Sequence, residues 1–104
     1  MKKKILIIVS HPDDEILGCG ASMSYFSRKG YIINTLILSR GIDSRKNEKN
    51  KKTKKAILEI AAIKANKIVG SKKTDFENFP DNKFDTVPLL EVAQSIESKI
   101  NNFK

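Results

Sequence analysis

The chain has 104 residues, of which 39% are hydrophobic and 31% are charged, and its formal net charge is +8 at pH 7. This length allows one domain at most, and the composition is that of a folded globular protein rather than a disordered chain. The longest apolar run is too short to cross a membrane and no signal peptide is recognisable, so we expect a cytoplasmic protein. The single cysteine, Cys19, cannot form an internal disulfide, which agrees with a reducing compartment.

The first predicted elements are a strand and a helix. Residues 5–9 are five consecutive aliphatic residues, four of them β-branched, which is typical of a strand buried on both faces of a parallel sheet. The next segment contains the only histidine and then Pro12, which suits the first position of a helix with acidic residues in its first turn. We expect this helix to run to about residue 29 and to stop at Gly30. Two glycines inside it, Gly18 and Gly20, favour a close approach to the sheet or to a ligand.

The turn between this strand and helix is the candidate site. In an open α/β sheet, ligands bind where the first strand ends and its helix begins. One imidazole with carboxylate oxygens is a ligand set that suits zinc. His11 and Asp14 can both point to one side of the turn as ligands, which leaves Asp13 beside the metal as a base. An acidic segment after proline is also typical of an ordinary helix N-terminus, and the residues alone leave both interpretations open.

A second β-rich run at 31–38 predicts another interior strand. The loop after it contains Arg40 and Asp43, and we expect this loop at the same edge of the sheet as the turn that contains His11. Seven of the eleven residues in 45–55 are lysine or arginine. Such a run can attract nucleic acid, but it has no interleaved aromatic residues, which favours a solvated loop.

The remaining chain predicts one more strand-helix repeat. Helical periodicity covers about 52–69, with Gly70 as the stop, and 73–76 is a weak strand candidate. The predicted loop 77–87 interleaves phenylalanines with polar side chains, as in sugar pockets, although these phenylalanines can equally pin the loop to the core. Pro88 opens a last helix.

The strand, the sequence HPDDE at 11–15 and the glycine-containing helix together resemble the signature of the LmbE-like (PIG-L type) zinc-dependent de-N-acetylases. The resemblance implies that His11 and Asp14 bind Zn²⁺ and that Asp13 is the general base. The sequence FPDN at 79–82 is similar to that family's Pro-Asp segment near the substrate, which makes Asp81 a candidate substrate contact.

Arg40 is a second candidate substrate contact, and this assignment rests only on its expected place at the same edge of the sheet as His11. The family's third zinc ligand is a histidine, and this sequence has no histidine after His11. We therefore expect residues 1–104 to be the N-terminal part of a single α/β deacetylase domain, truncated after the third helix and inactive alone. The expected fold is three-layered and Rossmann-like with a mostly parallel sheet.

The predicted function is hydrolysis of the acetyl group from an N-acetylated amino sugar of the N-acetylglucosaminyl type, by zinc-activated water. Its partner is a small-molecule glycoconjugate, and the sequence names neither the sugar, nor the aglycone, nor the oligomeric state. Two alternatives stay open. One is a non-catalytic α/β module that binds phosphate or nucleotide at the start of the first helix. Against it, the glycines of this helix lack the third glycine of a dinucleotide-binding motif, and the three carboxylates at the start of the helix would repel phosphate. The other is a nucleic-acid binder that uses the basic segment 45–55.

Overall fold

The computed structural model describes residues 3–39, 51–80 and 84–103. Strands and helices alternate along the chain, as the sequence predicts. The elements are β1 (Lys4–Val9), α1 (Asp14–Arg28), β2 (Ile32–Ile37), α2 (Lys51–Ile68), β3 (Ser71–Phe76), a short 3₁₀ helix (Phe84–Thr86) and α3 (Leu89–Phe103). No helix in these three described stretches is long and apolar enough to cross a membrane.

The three strands form one sheet in the order β1-β2-β3, and both pairs of neighbours are parallel. The predicted adjacent, parallel pairing of the first two strands is therefore confirmed. Because the strands are parallel, their carboxyl ends meet at one edge, which we call the rim. Backbone pairing continues past the strand ends there, since the Ser39 N–H donates to the Ser10 carbonyl at 2.9 Å and the Phe79 N–H donates to the Leu38 carbonyl at 3.0 Å.

Helices cover both faces of the sheet. Successive side chains of a strand point to opposite faces. Thr35 of β2 points to the face of α2, where its hydroxyl donates to Asn66 at 2.8 Å. Asp75 of β3 points to the other face, where its carboxylate lies 3.4 Å from the Lys99 ammonium of α3. The three-layer α/β architecture expected from the sequence is thus confirmed.

The core is centred on β2 rather than on β1. Ile33, Leu36 and Ile37 are fully buried in β2, whereas the aliphatic side chains of β1 are only half-buried. The prediction that β1 is buried on both faces is therefore wrong for the described part of the chain. The reason is position, because β1 pairs there with β2 alone and lies at the edge of the sheet.

Glycines end the first two helices, as predicted. Gly30 and Gly70 have φ angles of 89° and 97°, a region that suits glycine because it has no Cβ atom. A Cβ atom on Gly70 would also overlap the side chain of Ser27, so the end of α2 packs directly against α1. Of the two glycines inside α1, Gly20 lies near Val69, but no described residue lies close to Gly18. The expected close approach to the sheet is therefore not found at Gly18, and an approach to a ligand stays a prediction.

Candidate functional site

The strand-to-helix connection is a tight turn over residues 11–14. The Asp14 N–H donates to the His11 carbonyl at 3.2 Å, and Asp13 has φ 82° and ψ −20°. Proline in the second position and a positive φ in the third are the signature of a type II turn. Helix α1 therefore begins at Asp14, and the prediction that Pro12 occupies the first helical position is wrong by two residues.

Asp13 occupies a backbone conformation that favours glycine. It is the one non-glycine residue with a positive φ in the described residues. For an L-residue this region costs about 1–2 kcal/mol, and aspartate and asparagine tolerate it better than most. The carboxylate does not repay this cost as a helix cap, because it makes no capping hydrogen bond. A negative charge at a helix start gains about 0.3–1 kcal/mol, which is less than this cost, so the turn holds the exposed carboxylate at the rim at a net loss of stability.

His11 and Asp14 converge on the same side of the turn. The His11 Nδ1 atom lies 3.5 Å from Asp14 Oδ2, and the His11 backbone N–H donates to that same oxygen at 3.0 Å. Both side chains are partly exposed, at 34% for His11 and 45% for Asp14. Nitrogen and oxygen ligands at about 2.0–2.2 Å from a tetrahedral zinc ion lie about 3.4 Å apart. The spacing and the chemistry of this pair therefore fit two ligands of one Zn²⁺ ion.

The described residues provide only this pair. No group of three or more histidine, cysteine, aspartate or glutamate side chains suited to a metal ion lies within ranges 3–39, 51–80 and 84–103. Cys19 is half-buried and lies more than one helical turn beyond Asp14 on α1. A catalytic zinc usually has three protein ligands, so a third would have to come from elsewhere.

The two predicted substrate contacts, Arg40 and Asp81, lie outside the described residues, as do Asp43 and residues 45–50 of the basic segment. Ser39, directly before Arg40, and Phe79, two residues before Asp81, take part in the backbone pairing at the rim. The assignments of Arg40 and Asp81 stay predictions.

The sequence analysis missed a buried carboxylate next to the pair. Glu15, expected only as one of the acidic residues in the first helical turn, is fully buried, and its Oε1 atom accepts a hydrogen bond from Asn66 Nδ2 at 2.8 Å. Helical spacing contained a signal, because Glu15 falls in one stripe with Cys19, Met23 and Phe26, which are buried or half-buried. A glutamate in line with apolar residues at intervals of about four faces the core.

A cleft of about 280 Å³ opens between α1 and α2 beside the turn. Its lining is mostly apolar and includes Ile16 and Leu17 of α1 and Leu58 of α2, with Asp13 among the polar residues. Neither His11 nor Asp14 lines it, so the cleft adjoins the candidate base rather than the candidate metal ligands.

Comparison with known proteins identifies the family. The model of the GlcNAc-PI de-N-acetylase family, PIG-L, matches residues 6–104. The chain belongs to the PIG-L family. A curated relative in Escherichia coli K12, the uncharacterized deacetylase YaiS, is 31% identical over 108 residues, which cover 97% of this chain and 50% of the relative. The chain thus spans about half the length of this PIG-L relative.

Solved structures agree with the family and the fold. The N,N'-diacetylchitobiose deacetylase of Pyrococcus horikoshii matches with a TM-score of 0.67 and 26% identity, over 76% of this chain and 30% of the deacetylase. The conserved protein TT1542 of Thermus thermophilus matches with a TM-score of 0.59 and 28% identity, over 78% of this chain and 34% of the TT1542 chain. The 4-carboxy-2-hydroxymuconate hydratase GalB of Pseudomonas putida KT2440 matches with a TM-score of 0.62 and 24% identity, over 73% of this chain and 34% of the GalB chain. At this identity the match shows a similar fold alone.

Proposed function

We propose that residues 1–104 are the N-terminal part of a zinc-dependent hydrolase that removes the acetyl group from an N-acetylated amino sugar. The observation that carries the proposal is the convergence of His11 Nδ1 and Asp14 Oδ2 at 3.5 Å, with the exposed Asp13 carboxylate between them in the chain. Membership of the PIG-L family and the likeness to a chitobiose deacetylase support this reaction and this class of substrate.

His11 and Asp14 would hold the metal ion. The His11 backbone N–H donates to Asp14 Oδ2 at 3.0 Å, so a hydrogen bond within the turn holds this carboxylate toward the imidazole. Pre-organised ligands reduce the entropy that is lost on binding. A bound Zn²⁺ ion would supply Lewis acidity, lowering the pKa of water to about 7 and polarising the acetamide carbonyl.

Asp13 would act as the general base. Its carboxylate would accept a proton as the water oxygen bonds to the acetamide carbon. The same proton would then pass to the nitrogen as the carbon–nitrogen bond breaks, which releases acetate and a free amine and restores the carboxylate. A base must reach the proton that it abstracts, and the type II turn projects this side chain from the rim into solvent. The strained backbone of Asp13 supports a functional role, because such residues cluster at active sites.

Asp81 and Arg40 are proposed as substrate contacts, and a third zinc ligand is proposed to come from outside these 104 residues. The phosphate-binding alternative has less support, because a phosphate at the start of α1 would meet the carboxylates of Asp13 and Asp14. Nothing in the described residues favours the nucleic-acid alternative. Steep loss of binding with added salt would be its distinguishing sign.

The test compares two aspartate variants in the full-length gene product. Asp13→Asn is expected to keep zinc and to lose turnover by a factor of roughly 10²–10⁴, because the amide cannot accept the proton. Asp14→Asn removes the carboxylate of the metal pair and is expected to lower the zinc content itself. Metal analysis after dialysis and release of acetate from an N-acetylglucosamine conjugate measure the two effects. Wild-type turnover in Asp13→Asn would refute the assignment of the base, and a full zinc content in Asp14→Asn would refute that of the ligand.

A further inference from the structure

The buried carboxylate of Glu15 is not used in the proposed reaction, yet it directly follows the candidate ligand Asp14. Its side chain is fully buried. Only one of its two oxygens, Oε1, makes a hydrogen bond in the described part of the chain, and Oε2 is buried without one. A buried charge that is half satisfied lowers stability, and an apolar residue of similar volume is often as good or better. Stability alone therefore does not explain a glutamate at this position.

The partner of Glu15 connects it to the centre of the fold. Asn66, fully buried on α2, donates through Nδ2 to Glu15 Oε1 and to the Ala62 carbonyl, and accepts at Oδ1 from the Thr35 hydroxyl of β2 at 2.8 Å. The Thr35 hydroxyl lies 3.0 Å from that of Ser71 at the start of β3. We call these four side chains, Glu15, Asn66, Thr35 and Ser71, the buried polar chain. It joins α1 to α2 and to two strands of the sheet.

Helix α1 has few other fixed points. Its two fully buried residues are Glu15 and Met23, which lie about 12 Å apart along the helix axis because each residue rises about 1.5 Å. Met23 anchors the second half of the helix through apolar packing. Glu15 is the fully buried residue in the first helical turn of α1. Asp14 projects from the same helical turn, and the type II turn that contains His11 leads directly into it. The hydrogen bond from Asn66 to Glu15 therefore fixes the rotation of the helix start relative to the sheet.

We propose that Glu15 is a positioning residue, which, through Asn66, holds His11 and Asp14 at the spacing of a metal-binding pair. The inference rests on the proposed function, because it takes this pair to be the metal ligands. Residues that orient metal ligands from behind commonly change the metal affinity by 10- to 100-fold when they are altered.

A charge-swap cycle tests the proposal. Asn66→Asp places a second carboxylate against Glu15 and breaks the link, whereas adding Glu15→Gln restores a donor and an acceptor between the two positions. The zinc dissociation constant is measured by chelator competition, and hydrogen exchange of the His11 amide follows its bond to Asp14 without any metal. We expect Asn66→Asp to weaken zinc binding roughly 10- to 100-fold and to lower the protection of the His11 amide. The double variant should return both to within about twofold of the wild type.

Two further variants separate positioning from general packing. Ser71→Ala breaks the far end of the buried polar chain, and within the described residues the Ser71 hydroxyl makes no hydrogen bond to Glu15 or Asn66. This variant should therefore lower the midpoint of urea unfolding and leave zinc affinity unchanged. Glu15→Leu removes the link and the buried charge together, and provides a folded comparison if Asn66→Asp does not fold. It should weaken zinc binding as Asn66→Asp does, even where its unfolding midpoint is as high as that of the wild type.

Three results would overturn the proposal. One is wild-type zinc affinity and wild-type His11 protection in both Glu15→Leu and Asn66→Asp. The second is failure of the double variant to restore them, and the third is an equal loss in Ser71→Ala, which would show general loosening. If the wild type itself binds no zinc, the proposed function fails, whereas exchange of the His11 amide still decides whether Glu15 positions the turn.

Discussion

The type II turn predicts an unusual order of stability at position 13. Asp13 has a φ of 82°, a region that costs a residue with a Cβ atom about 1–2 kcal/mol and costs glycine nothing. Glycine loses about 0.4–1 kcal/mol relative to alanine through the entropy of the unfolded chain. The two terms leave Asp13→Gly more stable than Asp13→Ala by about 1 kcal/mol. Both variants lose the same negative charge near the start of α1, so the difference isolates the backbone.

Thermal unfolding of the two variants measures this difference. For a chain of this size, about 1 kcal/mol corresponds to a shift of the melting temperature by about 4–8 °C. Glu97 is the matched control, because it is exposed inside α3, where alanine is favoured over glycine by about 1 kcal/mol. We therefore expect the order glycine above alanine at position 13 and the reverse at position 97. Equal or greater stability of Asp13→Ala would refute the turn assignment and, with it, the argument that strain marks Asp13 as functional.

Two further predictions concern packing. Gly70→Ala should lower the free energy of unfolding by about 2–3 kcal/mol, because the new Cβ atom would be strained by the positive φ and would overlap Ser27. Gly18→Ala should raise the free energy of unfolding by about 0.5–1 kcal/mol, because Gly18 faces open space on the exposed side of α1. Urea titration measures both, and a destabilised Gly18→Ala would contradict the described environment of that glycine. Helix α3 has no fully buried residue, so its amides should exchange with deuterium well before those of the buried strand β2, and equal protection of the two would be evidence against this packing.

Local patterns in the sequence were sufficient for the order and type of the elements. The aliphatic run 5–9, the helical periodicity of α2 and the glycines at 30 and 70 each depend on residues close in the chain, and the structure confirms them. Parallel pairing also followed, because a strand, a helix and a strand in succession have few other arrangements. The HPDDE sequence identified the turn that brings His11 and Asp14 together.

Distant residues decided what the sequence analysis missed or misjudged. The burial of β1 depends on which strands flank it, and its aliphatic composition does not contain that information. The type II turn at Asp13 is the exception, because it is local: a backbone hydrogen bond from Asp14 to His11 closes it, and the helix starts two residues later than predicted.

The position of Glu15 shows the same division most clearly. The sequence by itself determined that a helix begins near Glu15, that a histidine and two aspartates lie just before it, and that a sheet lies beside it. Its place in the apolar stripe of α1 indicates that this carboxylate faces the core, but the stripe does not name its partner there, Asn66, which is 51 residues away in the chain. Only the tertiary structure brings the two together, because a hydrogen bond between distant side chains forms after the helices have packed on the sheet and leaves no periodic pattern in the sequence.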